Sequence, residues 1–296
     1  MKVRANGLQI EIDDQGPRDA PPVLLVMGLG MQLTGWPEEL VDELVARGFR
    51  VVRFDNRDAG LSDGFDHLGV PNIGLAALRH LIRLPVRAPY ALRDMAADAA
   101  GVLDALQLRR AHVVGASLGG MIAQHLAASR PERVASLGLI MTTSGSRRLP
   151  GPTSRARRAI LSRPALPGLD GQIAHAIGVF EAIGSPGFRP EAAELRERVA
   201  SNLARAFRPA GAARQLLAIA ADADRTPLLA RIQAPTQVIH GVQDPLIPVA
   251  CGQDLLRRIP AAQGDFIEGM GHDLPRPLLA RFADRIAANA ARAGAG

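Results

Sequence analysis

The chain is predicted to be an α/β protein whose mostly parallel, doubly wound sheet is interrupted by a helical insertion. Three observations predict this. Short apolar runs alternate with segments of helical period over residues 7–141, and the same alternation resumes over 236–292. Between them the pattern is helical with Pro/Gly punctuation and contains no buried-strand run. The chain has 296 residues, 47% hydrophobic and 22% charged, which suits one large core and excludes disorder. The expected division is a first core segment 1–143, an inserted lid 144–230 and a second core segment 231–296.

The elements follow in order. Residues 7–13 alternate Leu8, Ile10 and Ile12 with polar neighbours, as in a half-buried strand. Residues 23–27 are continuously apolar, the signature of a strand covered on both faces. Pro37 opens a helix carrying Leu40, Val41, Leu44 and Val45 at helical spacing, and Gly48 closes it. Strand 50–54, helix 92–106, strand 111–115, helix 118–128 and strand 134–141 complete the first segment. After the insertion come strand 236–240, helix 251–258, strand 264–268 and helix 277–292.

Composition narrows the function classes. Thirty-five basic residues against 29 acids give a net charge of +6, and all but Lys2 of the basic residues are arginine. The arginines are scattered and aromatic residues make up 3%, so nucleic-acid binding is not expected. No run approaches the ~18 apolar residues of a membrane span, so no stable membrane insertion is expected. Residues 1–15 lack a secretory pattern, which favours a cytoplasmic location. The single cysteine, Cys251, can form neither an internal disulfide nor a zinc site alone.

Residues 115–119 read Gly-Ala-Ser-Leu-Gly between a predicted strand and a predicted helix. Glycines on both sides let the chain turn sharply and expose the Ser117 hydroxyl at the strand's C-terminal end, the setting this motif requires. A serine hydroxyl needs a base. His112 and His125 lie within predicted elements, His67, His80 and His175 in polar or helical stretches, and His240 at a strand end. His272 instead lies in a glycine-rich turn after strand 264–268, where doubly wound sheets place their ligands. The acid that orients it is assigned to Asp244, after strand 236–240, because the turn after strand 134–141 has no carboxylate. Asp273 is expected to be an exposed turn residue. The oxyanion donors are assigned to the backbone N–H groups of Leu118 and of Leu29, the latter in the loop after strand 23–27. Gly28 and Trp36 are assigned to the substrate pocket, with core packing the alternative for Trp36. Leu29, Met31 and Leu118 are expected to form an apolar cleft wall. Backbone amides and the three side chains supply every role, so no metal or cofactor is expected.

With the order Ser117, Asp244, His272, the chain resembles serine hydrolases of the α/β-hydrolase fold, and within them the aclacinomycin methylesterase group. The matching stretches are Val26-Met-Gly, Gly35-Trp-Pro, Arg53-Phe-Asp-Asn-Arg-Asp-Ala-Gly-Leu-Ser62, residues 111–119, Asp244-Pro and Gly269-Met-Gly-His272. Two positions depart from the common pattern: Met27 stands where many members have histidine before glycine, and Leu118 where many have methionine. The resemblance implies that the block from Arg53 holds backbone geometry, with Arg57 and Asp58 expected as an ion pair. A serine in the elbow excludes the relatives that need a carboxylate there. The expected activity is cleavage of a small to medium hydrophobic carboxylic ester through an acyl-serine, with lactone or carbon–carbon bond cleavage, or ligand binding without turnover, as alternatives. Residues 73–87 mix Leu75, Leu78, Leu81, Ile82 and Leu84 with Arg79, His80, Arg83 and Arg87. They are expected to form a helix packed near the cleft mouth, membrane contact being the alternative. Arg147, Arg148, Arg155, Arg157 and Arg158 are expected on a solvated face.

Overall fold

The computed structural model describes residues 1–82, 84–222 and 224–294, apart from the side chains of His80 and Leu81. Expectations about Arg83 and those two side chains therefore lie outside the described residues.

Among the described residues, eight strands form one sheet: β1 (Lys2–Ala5), β2 (Leu8–Gln15), β3 (Pro22–Val26), β4 (Arg50–Phe54), β5 (Ala111–Ala116), β6 (Val134–Ile140), β7 (Thr236–Gly241) and β8 (Gln263–Ile267). Their order is β1-β2-β4-β3-β5-β6-β7-β8, antiparallel for β1–β2 and β2–β4 and parallel from β4 to β8. The chain steps from β3 outward to β4 and then crosses back to β5, so the order reverses between β3 and β5, the switch point at which such sheets open a crevice. Strand β1 is an addition to the sequence reading. Asn6 and Gly7 both take positive φ (49° and 82°), giving the two-residue turn that pairs Ala5 with Leu8.

Alternate residues of β3 serve two cores. Leu24 and Val26 pack with Leu92 and Met95 of α3 (Leu92–Ala105) and Ile122 of α4 (Leu118–Ser129). Val23 and Leu25 pack with Leu40 and Leu44 of α1 (Glu38–Ala46) and Phe282 of α11 (Leu279–Ala291). Helices on both faces explain why the strand reads as an unbroken apolar run.

Among the described residues, five helices lie between β6 and β7: α5 (Ser154–Leu161), α6 (Gly168–Ile183), α7 (Ala192–Arg205), α8 (Pro209–Ala221) and α9 (Thr226–Leu229). Their own apolar core is small, centred on Ile173, Leu195 and Val199. Buried polar links to the sheet domain compensate. Arg214 of α8 grips Asp58 through two hydrogen bonds of 2.8 and 2.7 Å, and Arg205 of α7 reaches Asp55 at 2.8 Å. Arg57 and Asp58 are thus not partners of each other. Adjacent residues diverge along the backbone, so Arg57 turns to Asp98 (2.5 Å) and Asp58 to the insertion. Helix α2 (Ile73–Leu81) rests against α8, and α10 (Val249–Arg258) covers β7 and β8.

Candidate active site

The C-terminal ends of β3, β5, β7 and β8 meet at one place. At the end of β5 the chain turns into α4 through Ser117, whose φ of 54° and ψ of −117° are sparsely populated for a residue with a β-carbon. The neighbouring glycines make this turn possible. A β-carbon on Gly115 would lie 2.2 Å from the Gly119 carbonyl oxygen, and one on Gly119 would lie 1.9 Å from the Val26 carbonyl oxygen. The strained serine is held by its neighbours: its N–H donates to the Ile140 carbonyl (2.9 Å), and Thr142 Oγ1 donates to its carbonyl (2.7 Å).

Ser117 Oγ lies 3.0 Å from His272 Nε2, and His272 Nδ1 lies 2.7 Å from Asp244 Oδ2. A carboxylate only accepts, so Nδ1 carries the proton and Nε2 presents its lone pair to the serine hydroxyl. Asp244 Oδ1 accepts from the N–H groups of Leu246 (2.9 Å) and Ile247 (2.8 Å), which fixes the carboxylate in a tight turn. His272 and Asp244 are both buried, while Ser117 is half-buried. An arrangement of this kind can move a proton from an attacking hydroxyl to an imidazole and return it to a leaving group.

Gly28 passes directly over this hydroxyl. A β-carbon there would sit 3.4 Å from Ser117 Cβ and 3.9 Å from Oγ. The backbone N–H groups of Leu29 and Leu118 have no acceptor among the described residues. The loop that carries Leu29 is braced from the 55–57 block. Asp55 accepts from Leu33 N–H (2.6 Å), and Asn56 Nδ2 donates to the Met27 carbonyl (2.9 Å).

Two pocket expectations are corrected. Trp36 has no exposed surface and packs with Met27, Leu40 and Val41 on the α1 side of the sheet. It lies just before α1, which packs on the sheet, and its ring is in the core rather than the cleft. The Leu118 side chain is likewise fully buried, packed in the core with α3 and the rest of α4. Asp273 is a third correction. It is half-buried, and both the Ser185 hydroxyl and its N–H (3.2 Å) donate to its carboxylate. Burial pushes its pKa up, against the bonds from Ser185.

Sequence reasoning missed three groups around this centre. Ser185 Oγ accepts from Gly271 N–H (2.8 Å), and His272 N–H donates to the Ile183 carbonyl (2.8 Å), so the insertion seats the histidine loop. His240 is fully buried with Nε2 2.8 Å from the Ile247 carbonyl and 3.6 Å from Asp244 Oδ2. Gln215 reaches from α8 to the Leu29 loop. The four-residue spacing of His240 and Asp244 was a readable signal for the second; nothing local marked the other two.

The family model described as alpha/beta hydrolase fold matches residues 21–275. Rhodomycin D methylesterase DauP of a Streptomyces species is 32% identical over 92% of this chain and 91% of its own length. Pimeloyl-[acyl-carrier protein] methyl ester esterase of Chromobacterium violaceum is 35% identical over 62% of this chain and 72% of its own. The crystal structure of the enol-lactonase from Burkholderia xenovorans superposes with a TM-score of 0.69 over all of both chains at 23% identity, a likeness of fold. The chain belongs to the α/β hydrolase fold family and is a hydrolytic enzyme.

Proposed function

We propose that this protein is a serine esterase that cleaves a small to medium hydrophobic carboxylic ester through an acyl-serine. The observation that carries the reading is the unbroken hydrogen-bonded path from Asp244 through His272 to Ser117. Ser117 Oγ attacks the ester carbonyl carbon while His272 Nε2 takes its proton, and Asp244 stabilises the imidazolium. The oxygen of the tetrahedral intermediate, now negative, is held by the free N–H groups of Leu29 and Leu118, each worth about 3–4 kcal/mol at the transition state. Collapse breaks the bond to the alkoxy oxygen, which receives the proton from His272 and leaves as an alcohol. Water then repeats the sequence on the acyl-serine, releasing the acid and restoring the hydroxyl. Residues 144–230 act as a lid over this centre. The two curated relatives described above are named for methyl esters, which supports a small alcohol as the leaving group.

Labelling with a fluorophosphonate probe, followed by mass spectrometry of the modified peptide, tests the assignment. Label is expected on Ser117 and is expected to disappear in Ser117→Ala and in His272→Ala. Undiminished labelling of Ser117→Ala would overturn the choice of nucleophile.

A further inference from the structure

The segment from Leu68 to Leu84 does not pack as its composition suggests. Helix α2 sets Ala76 against its neighbours, yet Leu75, Leu78 and Ile82, spaced as one helical face, stay 52–55% exposed. Leu68, Val70 and Leu84 beside them are 48–77% exposed, so six of the large apolar side chains left in water fall within 17 consecutive residues. Isolated exposed leucines need no explanation, but a run of this kind marks a surface that meets something. Its charge is equally one-sided. Between Asp66 and Asp94 the chain carries four arginines, at 79, 83, 87 and 93, and no acidic residue. Among the described residues neither Arg87 nor Arg93 has a carboxylate partner, and Arg79 donates only to the Pro85 carbonyl (2.8 Å).

We propose that this face docks on an anionic lipid bilayer, lying in the headgroup layer with its leucines directed inward and its arginines at the lipid phosphates. Docking would be peripheral, since among the described residues no helix is long and apolar enough to cross a membrane. A second copy of the chain fits less well. In a two-fold pairing the same patch meets itself, which would set basic side chains such as Arg79 and Arg87 against their own copies. The inference does not depend on the reading of Ser117.

Co-sedimentation of the full chain with vesicles of phosphatidylcholine, with and without phosphatidylglycerol, tests it. Binding is expected to the phosphatidylglycerol vesicles and to weaken with salt. Leu75→Glu combined with Leu78→Glu should abolish it. Arg79→Glu with Arg87→Glu should lower it at least about 25-fold, since each arginine near an anionic surface contributes about fivefold. The leucine variant should keep the wild-type thermal midpoint, because Leu75 and Leu78 are exposed. Absence of binding to either vesicle, or binding unchanged in the leucine variant, would overturn the proposal. A concentration-dependent dimer dissolved by the leucine variant, without vesicle binding, would assign the face to a second copy instead.

Discussion

Gln215 Oε1 accepts a hydrogen bond from Gly30 N–H at 2.8 Å, and the same carboxamide donates from Nε2 to the Arg57 carbonyl at 2.7 Å. Gln215 is fully buried, so both backbone groups depend on it for their partners. Gly30 itself takes a positive φ of 65° and approaches Ala212 so closely that a β-carbon would sit 3.0 Å from that methyl group. Helix α8 therefore shapes the loop that presents Leu29 N–H.

Replacing this carboxamide with a side chain of similar volume isolates the effect. Gln215→Leu is expected to lower kcat by about tenfold or more with little change in KM, because a misplaced oxyanion donor is felt only in the transition state. Affinity for a boronic acid analogue should fall in parallel with kcat. Steady-state kinetics with a soluble ester and inhibition by the boronic acid provide the check. An unchanged kcat would show that the loop keeps its shape without α8.

His240 offers a second prediction. Burial holds its pKa below the ordinary histidine value, against the pull of Asp244, so the ring stays neutral around pH 7. In that form Nε2–H donates to the Ile247 carbonyl and closes the turn whose amides grip Asp244. Gly252 leaves the room, since a β-carbon there would lie 2.6 Å from His240 Nδ1. His240→Leu is expected to reduce kcat about tenfold, while His240→Gln, which keeps a donor, recovers most of it. Because a neutral ring does not titrate in this range, the acid limb of the kcat/KM profile should stay in place in both variants. A displaced limb would mean that His240 carries charge.

The Asp58–Arg214 pair predicts a pH-dependent stability difference. Burial alone would raise the pKa of Asp58, but the bonds from Arg214, Phe65 N–H and Tyr90 bring it below the usual carboxylate value. A depressed folded-state pKa adds stability above the unfolded value and loses it as pH falls through the folded one. Arg214→Met reverses the sign by leaving a buried carboxylate without its cation. The variant should lose about 3–5 kcal/mol near neutrality, or about 10 °C in melting temperature. Its deficit should shrink as pH falls toward 4 and Asp58 takes up a proton. Thermal melts across that range decide the matter; a deficit independent of pH would rule out Asp58 as its source.

The inner parallel strands were legible because each is buried on two faces, and an unbroken run such as residues 23–26 has few other readings. The elbow was legible because Gly115 and Gly119 answer clashes that arise within a few residues of each other. Strand β1 had its signal in the Asn6-Gly7 turn, although its own four residues are too short to declare a period. The partners of Arg57 and Asp58 were not legible. Asp98 and Arg214 lie 41 and 156 residues away, and a buried ion pair at that separation leaves no local pattern. Trp36 illustrates a different limit: a large aromatic beside a cleft loop suits a pocket and a core equally until the direction of its side chain is known.

The insertion is stitched to the two loops that carry Asp244 and His272. Thr153 N–H donates to the Pro245 carbonyl (2.8 Å) one residue from Asp244, and the Ile183 carbonyl receives His272 N–H. Substrate preference in such an enzyme therefore cannot be exchanged by transplanting a foreign cap at residues 144 and 230 alone. A graft would have to reproduce the backbone at 153 and 183–185, or the recipient would inherit a new cleft and lose the alignment of its own histidine.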